Sequence, residues 1–456
     1  MTQSQQRTIL TATVAAAFLS AFMGSSLNIA LPAIGAEFRM NAILLSWIPT
    51  SFTLAAAMLL VPLGRLADIH GRKRVFILGL LVSAVAYVLA MLVRTGEALI
   101  AVRVIQGSGA AMLFATSTAI LTSSFAPGER GRVLGINVAA VYTGLSVGPF
   151  LGGVLTQNFG WRSIFLLGTV LAGVAAALAF RIEGEWAEAK GEPFDLIGAV
   201  IYGAAVATTM YGLSRLPGLD GGALMLAGAV GLAGFIAWEQ RAANPLMNVS
   251  LFRRNRVFAM SNLAALINYS ATTAVGFLLS LYLQYIRGLP PQMAGLVLVA
   301  QPIMQAIFSP AAGRLSDRIE SRIVASAGMA LTATGLLLLV FLGPASPYWY
   351  VIGSLILLGL GFALFSSPNT NAVMSSVERR DYGIASATLG TMRLTGQMLS
   401  LGTAMLLFAI FIGPVQITPE VYPDFLAAMR VAFILFSGLC FAGIFASLAR
   451  GNMHGK

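Results

Sequence analysis

Charge is scarce in this sequence. Of its 456 residues only 10% are Asp, Glu, Lys or Arg, while 57% are hydrophobic, and the mean hydropathy is +0.83. A soluble domain carries about 25% charged residues, so a water-soluble globule is excluded. Cysteine is nearly absent: Cys440 stands alone, which rules out an intrachain disulfide. The two histidines, His70 and His454, both lie outside the apolar runs. There is no phosphate-binding loop, no metal-ligand cluster and no nucleophile elbow. Gly107-Ser108-Gly109 has the glycines of a phosphate loop but not the lysine and hydroxyl residue that must follow them. We therefore expect no catalytic centre and no cofactor.

Long apolar runs fill the space that charge leaves. Stretches of about 20 residues, enough to cross a hydrocarbon core of ~30 Å, recur along the whole chain. They place spans roughly at 8–34, 42–63, 75–93, 98–124, 132–157, 161–181, 194–213, 220–240, 257–285, 292–312, 322–343, 347–373, 382–414 and 427–449. Fourteen spans put both termini on one side of the bilayer. The net charge of +11 follows that topology: the terminal side holds 20 Lys and Arg, the far side 6, and Arg103 and Arg393 lie within spans. The excess marks the terminal side as cytoplasmic, so the basicity orients the chain and does not imply a nucleic-acid partner. The first run is too long for a signal-peptide core and continues into the bundle, so we expect it to be retained. Asn248-Val249-Ser250 has the glycosylation pattern but falls on the cytoplasmic side, where it has no use.

One pattern occurs twice. Gly64-Arg65-Leu66-Ala67-Asp68 is followed by Gly71-Arg72-Lys73-Arg74, and Gly313-Arg314-Leu315-Ser316-Asp317 by Arg318 and Arg322. Glu129-Arg130 with Gly135 and Gly148 has a counterpart in Glu378-Arg379 with Gly383 and Gly396. Both pairs repeat at an offset of 248 to 249 residues, the mark of a duplicated membrane bundle with its substrate site between the halves. The expected organisation is an all-α membrane protein: a six-helix bundle over 1–181, a polar connector with two extra spans over 182–256, and a second six-helix bundle over 257–456. The connector carries Glu185, Glu188, Lys190, Glu192 and Asp195. The extra helix pair reads as peripheral packing. In each loop copy, glycines, an aspartate and a basic cluster at fixed spacing suggest a conformational clasp, Gly64, Asp68, Gly71 and Arg72 in one and Gly313 and Asp317 in the other, docking on neighbouring helix ends. Gly144, Gly148, Gly152 and Gly153 with Pro149 make one small-residue face on the fifth span, a tight interface and a pivot between halves.

An ionisable residue inside a span is costly and marks a functional hypothesis. Only Arg103 and Arg393 qualify, since the 17 acidic residues fall in loops or at helix ends. Neither arginine can relay protons, because arginine stays charged. Each either binds an anion or braces a polar network; for Arg103 the brace would be neighbouring carbonyls and Gln106. The candidate cavity residues are Asn28, Arg103, Gln106, Asn268, Tyr269, Gln301, Gln305, Asn369 and Arg393. Asn137, Gln284, Asn371 and Gln397 are further neutral polar groups, each alone more often helix-to-helix glue than ligand contact.

These residues resemble the major facilitator superfamily over essentially the whole chain, most nearly its fourteen-span drug:proton antiporter branch of multidrug and antiseptic exporters. Gly64 to Arg74 is similar to the family's loop signature, Arg103 to Gly107 to its fourth-span Arg-x-x-Gln-Gly signature, and Gly144 to Gly153 to its antiporter signature. Leu27-Asn28-Ile29-Ala30-Leu31-Pro32 is similar to the branch's first-span signature. The branch places an aspartate five residues before that asparagine, and here Met23 stands there. The resemblance implies the two-bundle fold with two inserted helices, alternating access, a small-molecule substrate and a proton or other ion as coupling partner. The residues themselves offer no buried acid or histidine for that coupling. The expected function is export of an amphiphilic or anionic organic compound across a cell inner membrane by a monomer with cytoplasmic termini. An uptake or facilitated-diffusion carrier for organic anions, and a transporter-like sensor or assembly subunit without flux, are the alternatives.

Reporter fusions test the topology. A fusion after residue 190 should report the cytoplasm and one after 215 the periplasm; a cytoplasmic signal at 215 would remove the inserted pair and leave twelve spans.

Overall fold

In hydrocarbon every backbone N–H and C=O must find its partner inside the protein, and a helix does this within one segment. The computed structural model describes residues 2–126, 129–247, 249–378 and 382–451, apart from the side chain of Asp317. Asn248, Arg379 and His454 therefore lie outside the described residues. The helices are α1 (Gln3–Glu37), α2 (Ala42–His70), α3 (Arg72–Leu92), α4 (Gly96–Ser124), α5 (Arg130–Phe159), α6 (Arg162–Phe180), α7 (Leu196–Arg215), α8 (Leu219–Glu239), the short α9 (Ser250–Arg254), α10 (Arg256–Leu281), α11 (Pro291–Leu298), α12 (Ala300–Arg318), α13 (Ser321–Leu339), α14 (Tyr348–Ser375), α15 (Tyr382–Phe411) and α16 (Tyr422–Leu448). With α11 and α12 forming one span, 14 spans are long and apolar enough to cross a membrane. Several outrun the apolar cores read from sequence because their polar ends stay helical: Thr2, Asn41, Thr95 and Asn255 accept from backbone N–H groups in the first turns of α1, α2, α4 and α10.

Helices α1 to α6 pack on one another, and so do α10 to α16. Small residues set the closest approaches. On α5, a Cβ at Gly144 would stand 2.6 Å from the Phe18 carbonyl of α1, and one at Gly152 would stand 2.7 Å from Cβ of Ser26. Gly148 lies against Ser25 between them. Gly153 faces the other way, its missing Cβ 2.5 Å from the Pro291 carbonyl at the start of α11, and the Pro149 carbonyl abuts Gly295. One helix thus holds its own half with one glycine face and touches the other half beside it. α5 runs on through Pro149, whereas the tenth span is divided at Val299 into α11 and α12.

Hydrogen bonds between the halves cluster at the end away from the termini. Ser280 Oγ donates to the Asn28 carbonyl at 2.7 Å and Gln284 Nε2 to the Ile29 carbonyl at 3.0 Å. The Ala42 N–H donates to the Val415 carbonyl at 2.9 Å, and the Gln292 N–H to Gln157 Oε1 at 3.3 Å.

The inserted pair is less peripheral than its composition suggests. α8 packs chiefly on α7, but α7 lies against both α2 and α15, one helix from each half. Met210 and Leu213 of α7 close on Gly402 of α15, and Tyr202 donates to the Ala57 carbonyl of α2 at 3.0 Å. Nothing in the sequence of α7 distinguishes a bridge from a spacer, because the contacts are apolar and carry no pattern. On the opposite flank, Ser146, Val147 and Phe150 of α5 and Leu296, Val299 and Ile303 line an apolar groove of about 280 Å³.

The glycine contact between halves makes a direct test. Gly295→Ala drives a methyl group into the Pro149 carbonyl, at a cost of about 1–3 kcal/mol for overpacking. The far-end seal should loosen, and single cysteines at Gln157 or Gln284 should label faster from the far side. Unchanged labelling would mean that the α5–α11 contact does not hold that end shut.

Candidate substrate site and loop clasp

The two intramembrane arginines have different surroundings. Arg103 is 2% exposed and committed inside the first bundle. Its Nε donates to the Ile48 carbonyl at 3.1 Å, its Nη1 to Gln106 Oε1 at 2.6 Å, and its guanidinium lies 4.3 Å from the Phe52 ring centroid. Gln106 in turn reaches the Ala86 carbonyl at 3.4 Å. The pair ties α4 to α2 and α3, which is the bracing arrangement of the two weighed for it. Gly107 is the adjoining close approach, where a Cβ would collide with the Phe52 backbone.

Arg393 sits in α15 about 17 Å along the helix from its first residue. Its Nη2 donates to Thr370 Oγ1 at 2.6 Å and its guanidinium lies 5.7 Å from the Tyr269 ring centroid, while its buried Nε has no partner. No carboxylate pairs with it among the described residues. Tyr142 of α5, at about the same depth in the other half, approaches Arg393, Tyr269, Ser309 and Ser366. The cluster therefore straddles the two halves. Other buried polar atoms nearby in the fold are also unsatisfied: Asn268 has neither side-chain atom bonded, and Asn369 lacks a partner at Oδ1. Leaving such atoms bare costs about 1–3 kcal/mol each, so these helices hold polar capacity that packing does not use.

The remaining candidates fall at different depths. Asn28 lies near the far-end seal, its Nδ2 3.8 Å from where a Cβ of Gly276 would stand. Gln301 and Gln305 follow the break at Val299, and Gln305 is buried. Asn28 and Arg103 thus do not gather at Arg393, whereas Tyr269 does.

The first loop copy is a charged cluster with Arg72 at its centre. Arg72 Nε donates to Asp68 Oδ1 at 2.7 Å; Nη1 and Nη2 donate to the two oxygens of Glu188 at 2.7 and 2.8 Å, and Nη1 also reaches Ser123 at 2.9 Å. Gly71 turns the chain at φ 116°, a left-handed value that glycine adopts without strain. Behind it Glu185 accepts from the Lys73 N–H at 2.8 Å, a carboxylate on the first turn of α3, and Arg65 pairs with Glu192 at 2.5 Å. In the second copy Asn371 Nδ2 donates to Ser316 Oγ at 3.2 Å, and Gly313 lies against Ser367. The Asp317 side chain lies outside the described residues.

The Major Facilitator Superfamily profile matches residues 13–263 and again 261–453, one copy for each half. The chain belongs to the Major Facilitator Superfamily. It is similar to the riboflavin transporter RibZ of Clostridioides difficile, 28% identical over 94% of this chain and 93% of that one. The cephamycin export protein CmcT of Amycolatopsis lactamdurans is 33% identical over 89% and 85%, and the multidrug resistance protein Stp of Mycobacterium tuberculosis 30% identical over 82% and 70%. Among solved structures, a bacterial homologue of the lysosomal transporter Spinster superposes with a TM-score of 0.71 at 15% identity over 99% of this chain and 98% of that one. As a major facilitator protein the chain is a transporter and not an enzyme.

Two features of this major facilitator chain escape sequence reading. Tyr142 is a single aromatic in a small-residue helix, and only the packing of α5 brings it to Arg393. Glu188 looked like one more solvated charge of a polar connector, and the signal that could have singled it out is the alternation of Glu185, Glu188 and Glu192 at helix-turn spacing opposite a basic loop.

The clasp is testable through Arg72. Arg72→Gln removes both Nη bonds to Glu188 and the Nε bond to Asp68, hydrogen bonds to charged groups worth about 1.5–3 kcal/mol each when buried and less at this partly open site. Transport should fall several-fold while Glu188→Gln, which keeps Asp68 engaged, is milder. Equal and negligible effects of both would reduce the cluster to a topology signal.

Proposed function

We propose that this transporter exports amphiphilic organic anions from the cytoplasm across a cell inner membrane by alternating access. The observation that carries the reading is Arg393: a positive charge at mid-depth between the halves, hydrogen-bonded to Thr370, near Tyr142 and Tyr269, and without a carboxylate partner among the described residues. The guanidinium suits a carboxylate, sulfonate or phosphate group, and the two aromatic rings suit the apolar part of the molecule. Hydrogen bonding concentrated at the far end supports a state closed there, on the side opposite the basic excess that marks the cytoplasm. Export in this direction agrees with what the name of CmcT says of that relative. The Asp68–Arg72–Glu188 cluster would hold the terminal-side ends of α2, α3 and α4 as one body while the halves rock.

Binding decides the anion assignment. Arg393→Gln should weaken an anionic ligand about tenfold or more, the equivalent of a charged hydrogen bond of ~1.5–3 kcal/mol, and barely affect a neutral one such as riboflavin. Equal losses for both, with a lower melting temperature, would make Arg393 a structural brace.

A further inference from the structure

Guanidinium groups as a class carry a permanent charge, so Arg393 is suited to attract an anion and not to relay protons. The groups around it are Thr370 from α14, Tyr269 from α10 and Tyr142 from α5, and Tyr142 in turn approaches Ser309 from α12 and Ser366 from α14. Phenols and alcohols as a class are neutral at physiological pH. The carboxylates of the described residues lie elsewhere. Glu37 ends α1, Asp68 lies in the last turn of α2, and Glu97, Asp220 and Asp424 lie in the first turns of α4, α8 and α16. Among the described residues Glu239 is the one buried carboxylate, 4% exposed, and it closes α8, away from the rocking halves, with Oε2 accepting from the Met247 N–H at 2.7 Å. His70 is exposed at the end of α2. Among the described residues, no carboxylate or imidazole at the site is available to exchange a proton for the substrate.

An exporter of this make-up still has a driving force if its substrate is charged. We propose that transport is electrogenic and independent of protons: the anion crosses with its charge uncompensated, and the membrane potential, negative on the cytoplasmic side, drives it out. This rests on the anion site at Arg393. For a monovalent substrate the leverage is direct, since a tenfold concentration gradient balances about 60 mV. With no carboxylate at the site among the described residues, a proton has no place there to be carried back.

The test uses the purified protein in liposomes with naphthalene-2-sulfonate, an amphiphilic anion whose charge does not change with pH. At zero potential, labelled sulfonate should exchange against unlabelled. With a potassium gradient and valinomycin setting the interior positive, it should accumulate tenfold for about each 60 mV. A pH gradient of one unit at zero potential should produce no accumulation and no proton movement. Accumulation that follows the pH gradient, or protons moving with the sulfonate, overturns the proposal. So does exchange that is indifferent to the potential, but that result leaves the anion site intact. Failure to exchange sulfonate in vesicles that do exchange riboflavin removes the anion site itself, and exchange of neither probe removes the export reading as well. Arg393→Lys should keep the response to potential and Arg393→Gln should lose sulfonate exchange; the reverse order would also overturn it.

Discussion

The cost of a polar group in hydrocarbon governs this molecule. It forces the backbone into helices, it drives charge to the helix ends, and it makes every polar side chain that remains at depth conspicuous. Arg103 meets the cost with the Ile48 carbonyl, Gln106 and the face of Phe52. Arg393 meets it only in part, through Thr370 and an aromatic ring. The two intramembrane arginines therefore differ: one is consumed by the fold, the other is left with bonding capacity at the boundary between halves.

Glycine supplies the second condition. Helices that must slide past one another while keeping water out need backbone against backbone, and Gly144, Gly148 and Gly152 provide that on the α1 side of α5 as Gly153 and Gly295 do on the α11 side. Tyr142 stands on the same helix as these contacts. The element that packs between the halves at the far end thus also carries the aromatic that approaches Arg393.

Much of this was legible in the residues. The span count, the duplication, the glycine face of α5 and the bracing option for Arg103 are all periodic or local features, and periodicity survives in one dimension. The bridging of α2 and α15 by α7 was not legible, because methionine and leucine contacts carry no directional chemistry. Nor was the docking of the connector on Arg72. Glu188 lies 116 positions away, and whether a surface carboxylate is solvated or paired depends on which basic side chain the loop turn at Gly71 presents. Arg393 was identified as a candidate, but its partners Tyr142 and Thr370 come from helices that sequence order does not pair.

The bridge by α7 has one more consequence. Two matching bundles would offer the bilayer two equivalent flanks, yet α7 roofs the line where α2 meets α15, while the line where α5 meets α11 and α12 is bare and carries an apolar groove beside Ser146 and Phe150. Lipid tails thus wet one boundary between the halves and are fenced from the other. The molecule has a dry side and an oily side, and whatever dissolves in the leaflet meets the moving boundary from a single direction.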